Sequence, residues 1–131
     1  MQIKLNNRLF DLSTPAVMGI VNATPDSFYA GNRFLSDKAL LTSVEKMMVD
    51  GVDILDFGGY STRPMAKNIS SEEEIERLSN AIETVLKKFP DCIISVDTFR
   101  ANVARNMVKN YNVSIINDIR SEERRVGKEC L

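Results

Sequence analysis

Histidine is absent from the 131-residue sequence. Nucleophilic sites of the Ser-His and Cys-His kind therefore lack their base, and imidazole is not available to a metal. Cysteine is nearly as scarce, and Cys92 and Cys130 stand without the paired spacing of a zinc site. Cys92 abuts the apolar run Ile93-Ile94 and is expected to pack as a small apolar side chain. No stretch approaches the ~20 continuous apolar residues of a membrane helix. The first residues lack the basic segment and apolar core of a signal peptide, so the expectation is a cytoplasmic chain without a membrane partner. An excess of either charge is missing too: Lys and Arg total 17 against 18 Asp and Glu. No general field recruits nucleic acid or an anionic membrane, and any bound anion must be held by a few local groups.

What the sequence does have is a repeated strand-to-tip pattern. The apolar run from Val17 to Val21 turns abruptly polar at Asn22, and Pro25 forbids its continuation as ladder or helix. The turn is repeated where Val52-Asp53-Ile54-Leu55-Asp56-Phe57 meets Gly58-Gly59, where Ile93-Ile94-Ser95-Val96 meets Asp97-Thr98, and where Val113-Ser114-Ile115-Ile116 meets Asn117-Asp118. Each apolar strand ends on polar groups at its carboxyl side, where α/β sheets and (β/α)8 barrels place their sites. Taken singly, Asn22 is as well read as a turn residue satisfying its own backbone, and Asp97 as a structural carboxylate. Arg63 singly is a solvated loop charge, and Phe28 an exposed apolar residue that needs no explanation. The recurrence favours a pocket.

Between these tips lie helix patterns. Leu40, Val44, Met47 and Met48 share one face of a helix beginning near Ser36-Asp37 and ending at Gly51, and the methionines read as packing. Ser70 and Glu73 form a capping-box pattern ahead of Ile75, Leu78, Ile82, Val85, Leu86 and Phe89, with Pro90 as terminator. Thr98 is placed to cap a third helix whose Val103, Ala104, Met107 and Val108 face inward. Upstream, Ile3-Lys4-Leu5 and Arg8 to Leu12 alternate around Asn6-Asn7, a hairpin signal. A hairpin followed by β-α-β-α-β-α-β asks for parallel strands with right-handed crossovers. That order suits a barrel wall, and a flavodoxin-like open sheet nearly as well. A whole (β/α)8 barrel needs roughly 250 residues. Residues 120–131, RSEERRVGKECL, carry seven charges in twelve positions and cannot supply a core stripe, so they read as foreign sequence set apart from residues 1–119.

Four motifs then make a specific resemblance. Met18-Gly19-Ile20-Val21-Asn22-Ala23-Thr24-Pro25-Asp26-Ser27-Phe28, Gly58-Gly59-Tyr60-Ser61-Thr62-Arg63-Pro64, Ser95-Val96-Asp97-Thr98 and Ile116-Asn117-Asp118-Ile119 resemble the dihydropteroate synthases in order and near-spacing. The resemblance covers about residues 3 to 119. It implies an α/β fold, a TIM-type (β/α)8 barrel truncated to about its first four strands and preceded by a β-hairpin that closes the amino-terminal mouth. It also implies a transferase of folate biosynthesis that joins a dihydropterin diphosphate to 4-aminobenzoate and releases diphosphate.

The resemblance carries roles with it. Asn22 matches the family's Mg²⁺ ligand; Thr62, Asp97 and Asn117 match positions that bind the pterin diphosphate; Phe28 and Pro64 border the aminobenzoate; Arg63 and Asp97 act in catalysis. The full-length parent is expected to be a homodimer acting on small molecules. Tyr60, Met65 and Ala30 depart from the usual residues, and Met65 puts the shape of the second loop in doubt. The family's later Asp, Lys and Arg-x-His have no counterpart, which implies an inactive isolated chain, prone to self-association through the unpaired edge of its last strand. Two other readings are the pterin-binding domain of a methyltetrahydrofolate methyltransferase and a non-catalytic fragment.

Overall fold

The computed structural model describes residues 2–5, 8–11, 15–23, 33–59 and 69–117. An antiparallel hairpin of β1 (Gln2–Leu5) and β2 (Arg8–Asp11) comes first, in the register Gln2↔Asp11 to Leu5↔Arg8. Its turn at Asn6-Asn7 and the tail from residue 120 lie outside the described residues, as does the question of a mouth closed by the hairpin.

The rest is an alternation: β3 (Met18–Asn22), α1 (Arg33–Val49), β4 (Ile54–Gly58), α2 (Ser71–Lys88), β5 (Ile93–Asp97), α3 (Ala101–Tyr111) and β6 (Ile115–Asn117). The four strands form one parallel sheet in the order β3-β4-β5-β6. Each strand lies beside its successor, with α1 packed on α2 and α2 on α3. A flavodoxin-like sheet must reverse its strand order and put helices on both faces. Here the order runs one way and the described helices line one side, which is the arrangement of successive strands in the wall of a (β/α)8 barrel.

Strand pleating sorts the residues between the two faces. Val21, Leu55, Phe57, Ile94 and Val96 point toward the helices and pack with Leu40, Val44, Leu78, Ile82, Val85, Val103 and Met107. Phe57, Leu78, Ile82 and Val96 are fully buried, and a side chain of that kind contributes about 1.5–3 kcal/mol. Met47, Met48 and Cys92 pack against the same cluster, as expected of them. The other face carries Met18, Ile20, Ile54, Asp56, Ile93 and Ser95, and no described helix covers it. On β4 and β5 this face is shielded, whereas Ile20 on edge strand β3 is 67% exposed. Among the described residues no helix is long and apolar enough to cross a membrane.

The ends of the elements follow their chemistry. Gly51 takes φ 94° just past α1, and Asn112, with φ 52°, ends α3. Both are left-handed positions that these residue types accept. The Ser70 hydroxyl accepts the Glu73 amide at 3.1 Å. Three expectations change. Helix α1 starts at Arg33, since cap-type residues such as Ser36 and Asp37 do not prevent a helix from extending upstream. Thr98 does not cap α3: its hydroxyl accepts the Arg100 amide two residues on, at 3.2 Å, and the helix begins after Arg100. Val108 is 49% exposed, because Val103 and Met107 already fill the contact with α2.

Candidate active site

In each parallel strand the ladder runs one residue beyond the apolar stretch, so the polar tip is part of the strand. Asn22 is in register with Gly58, Gly58 with Asp97, and Asp97 with Asn117. The three side chains and the glycine therefore form one row across the carboxyl end of the sheet, on the face turned from the helices. At the usual spacing of about 4.8 Å between strands, the row spans roughly 14 Å. Backbone bonds continue past it, Ala23 N to Gly58 O at 2.7 Å and Thr98 N to Asn117 O at 3.1 Å, so the tips are held as rigidly as the strands.

The row is graded in exposure. Asn22 is exposed, on edge strand β3, whereas Asp97 and Asn117 are partly buried. Asn117 donates its side-chain N–H to Asp56 Oδ2 at 3.3 Å, and the Ser95 hydroxyl donates to Asp56 Oδ1 at 2.7 Å. Asp56 and Ser95 lie one row deeper on the same face and are buried. The arrangement offers a carboxylate and an amide over a polar floor, suited to a flat ring bearing several N–H and C=O or ring-nitrogen groups.

The two glycines of Gly58-Gly59 serve different ends. A Cβ on Gly58 would lie 3.8 Å from Asp97 Cβ and 4.0 Å from its Oδ2, so this glycine keeps space open beside the carboxylate. A Cβ on Gly59 would come within 3.2 Å of both Glu74 O and Leu78 Cγ. Close approach to a ligand thus fits Gly58, while Gly59 allows β4 to run tightly past α2.

Residues 60–68 leave and re-enter the described structure between two arginine contacts. Arg77 Nη1 donates to Gly59 O at 3.4 Å, and Arg100 Nη2 donates to Ile69 O at 2.6 Å. Arg100 also pairs with Glu74 at 3.0 Å; Glu74 is fully buried, and its second oxygen has no hydrogen-bond partner among the described residues. Thr62, Arg63, Pro64 and Phe28 lie outside the described residues. Asn22, Asp97 and Asn117 are brought together.

Asp56, Glu74 and Arg100 are not among the residues that the sequence marks as a site, and Ser95 enters there only as part of the Ser95-Val96-Asp97-Thr98 motif. Two of them carried a signal: Asp56 interrupts an apolar strand run, and Glu74 falls on the Leu78-Ile82-Val85 stripe of α2, where an acid needs a partner. No cluster of three acidic or sulfur-bearing groups that could hold a metal occurs among the described residues. A single exposed amide oxygen at Asn22 nevertheless fits Mg²⁺, which commonly takes few protein oxygens and completes its shell with waters and phosphate.

A family described as "Pterin binding enzyme" matches residues 18–129. The dihydropteroate synthase of Haemophilus influenzae is 48% identical over 122 residues, which is 92% of this chain and 43% of that enzyme. A solved structure of Xanthomonas albilineans dihydropteroate synthase with 4-aminobenzoic acid superposes with a TM-score of 0.78 at 37% identity, over 92% of this chain and 44% of that one. One from Coxiella burnetii in complex with pteroic acid gives a TM-score of 0.70 at 40% identity, over 92% and 42%. This chain therefore spans less than half the length of the relatives it matches.

Proposed function

The chain belongs to the pterin-binding enzymes, and on that premise we propose that it forms the amino-terminal part of a dihydropteroate synthase. The reaction joins the pterin-methyl carbon of a dihydropterin diphosphate to the amine of 4-aminobenzoate. A C–N bond forms, the C–O bond to diphosphate breaks with its electron pair, and the amine gives up a proton. The observation that carries the reading is the register of Asn22, Gly58, Asp97 and Asn117 in one row, together with 48% identity to a named synthase.

Each group has a proposed task, which for Asn22, Asp97 and Asn117 the row they share supports. Asp97 accepts N–H groups of the aminopterin, and Asn117 meets its neighbouring polar atoms; a ring lacking those groups would strand buried polar atoms, which gives selectivity. Thr62 and Arg63 take the diphosphate oxygens, where a guanidinium supplies charge-assisted bonds as negative charge gathers on the leaving group. Phe28 and Pro64 border the aminobenzoate ring and exclude water from the electron-poor methyl carbon. Asn22 would hold Mg²⁺, which when bound neutralises charge on the diphosphate. We place the reaction in the cytoplasm. The names of the relatives support this reading over the methyltransferase.

The test is a chimera in which residues 1–119 replace the matching amino-terminal part of the Haemophilus influenzae enzyme. Diphosphate release that requires both substrates is expected, and its loss in D97A and N117A. A folded chimera that binds neither substrate would overturn the proposal. The 131-residue chain by itself should give no product above blank, because less than half of the relatives' length is present.

A further inference from the structure

The carboxylate of Asp56 has no part in the chemistry just described, yet it lies directly beneath the row of tips. It is 5% exposed, and Ser95 beside it is fully buried. The Ser95 hydroxyl donates to one oxygen at 2.7 Å and Asn117 Nδ2 to the other at 3.3 Å. A carboxylate oxygen can only accept, so the group that Asn117 turns toward it is the NH2, and the amide carbonyl oxygen is the end that Asp56 does not hold. Ser95 is in register with Asp56 on the strand between β4 and β6. Its small side chain leaves room for the carboxylate to reach across.

We propose that Asp56 is a positioning residue for ligand recognition: anchored by Ser95, it fixes the side-chain amide of Asn117 so that the carbonyl oxygen is the atom offered to the ligand. This rests on the reading of Asn117 as a pterin-binding residue and adds which way round it binds. The two ends of a primary amide are nearly the same shape, so an unanchored Asn can present either a donor or an acceptor. With the NH2 committed to Asp56, Asn117 selects a ring that brings an N–H to that point. A ring bringing an acceptor there would face a lone pair across a buried contact.

Two measurements on the ¹⁵N-labelled 131-residue chain test it. In the ligand-free protein, the Asn117 side-chain NH2 pair should shift in D56A and exchange with solvent about tenfold faster or more, since a hydrogen bond to a buried carboxylate protects the proton. D56L fills the volume without an acceptor and serves where the alanine variant does not fold. An unmoved NH2 pair in a folded variant overturns the proposal. The second measurement is titration with 6-hydroxymethylpterin. D56L should weaken binding about tenfold with Asn117 present but by less than about twofold in an N117A background, since a residue acting through another has no effect once that residue is gone. Equal losses in the two backgrounds overturn the proposal. A wild-type chain that shows no pterin-induced shifts counts against pterin recognition by this chain alone, whereas the amide measurement still decides the Asp56–Asn117 pairing.

Discussion

Gly58 and Asp97 stand side by side in register, and a methyl group on Gly58 would rest 3.8 Å from Asp97 Cβ. That is ordinary van der Waals contact, so G58A should fold. The added methyl, however, projects from the face that holds the row of tips, into the space a ring must occupy to reach Asp97. Titration with 6-hydroxymethylpterin should show affinity falling about tenfold or more, as expected when a well-fitted pocket loses volume, with the thermal midpoint nearly unchanged. Unchanged affinity would mean that the ligand does not lie over β4.

Gly59 should behave in the opposite way. Its Cβ would meet a backbone oxygen of α2, Glu74 O, and Leu78 Cγ, both at 3.2 Å. A helix backbone cannot step aside as a flexible side chain can, and overpacking of this kind costs about 1–3 kcal/mol. Urea denaturation of G59A should show a lower midpoint with an unchanged slope. Two adjacent glycines are thus expected to separate, one affecting binding and the other stability.

The contrast marks how far the sequence could be read. The apolar runs placed all four strands, and the abrupt change to Asn22, Asp97 and Asn117 located the row, because a strand end is where hydrophobic patterning stops. Periodicity does not state which strand neighbours which, so it is the order β3-β4-β5-β6 that separates a barrel wall from an open sheet. Asp56 and Glu74 are hard to read from sequence for a related reason. Each is one charged residue inside an apolar run, and its meaning lies in partners 39 and 26 positions away, Ser95 and Arg100. Thr98 misled because a hydroxyl can satisfy the second amide after it as readily as one in a helix's first turn.

Cys92 lies where the chain turns from α2 into β5, and burial pushes its thiol up from 9.0 to about 11; a backbone hydrogen bond lowers it and nearby Asp91 raises it further. At pH 8 the reactive thiolate is therefore scarcer than in the unfolded chain. In a C130S background, alkylation by iodoacetamide should be slow in the native protein and accelerate in urea. The linkage has a definite sign. The folded state keeps its proton to higher pH, so stability tied to Cys92 is fully present below pH 9 and is lost as pH rises toward 11. The thermal midpoint should fall more steeply over that window in C130S than in C92A/C130S, and parallel curves would refute it.

The Arg100–Glu74 pair joins the start of α3 to the first turn of α2, and the same guanidinium holds Ile69 O, where the described structure resumes after breaking off at Gly59. Glu74 is fully buried with one oxygen already lacking a hydrogen-bond partner among the described residues, so R100A would leave a buried carboxylate without its cation. Breaking such a pair costs about 3–5 kcal/mol, whereas replacing both partners by apolar residues of similar size is often close to neutral. R100M should therefore destabilise the chain strongly in urea, and E74L/R100M should recover most of the loss. Recovery of stability need not restore the hold on Ile69 O, because the double variant still lacks the Arg100 donor. In the chimera, E74L/R100M is accordingly expected to melt near the parent yet to show a raised KM for the dihydropterin diphosphate. A double variant with the parent's KM would show that the arginine serves stability alone.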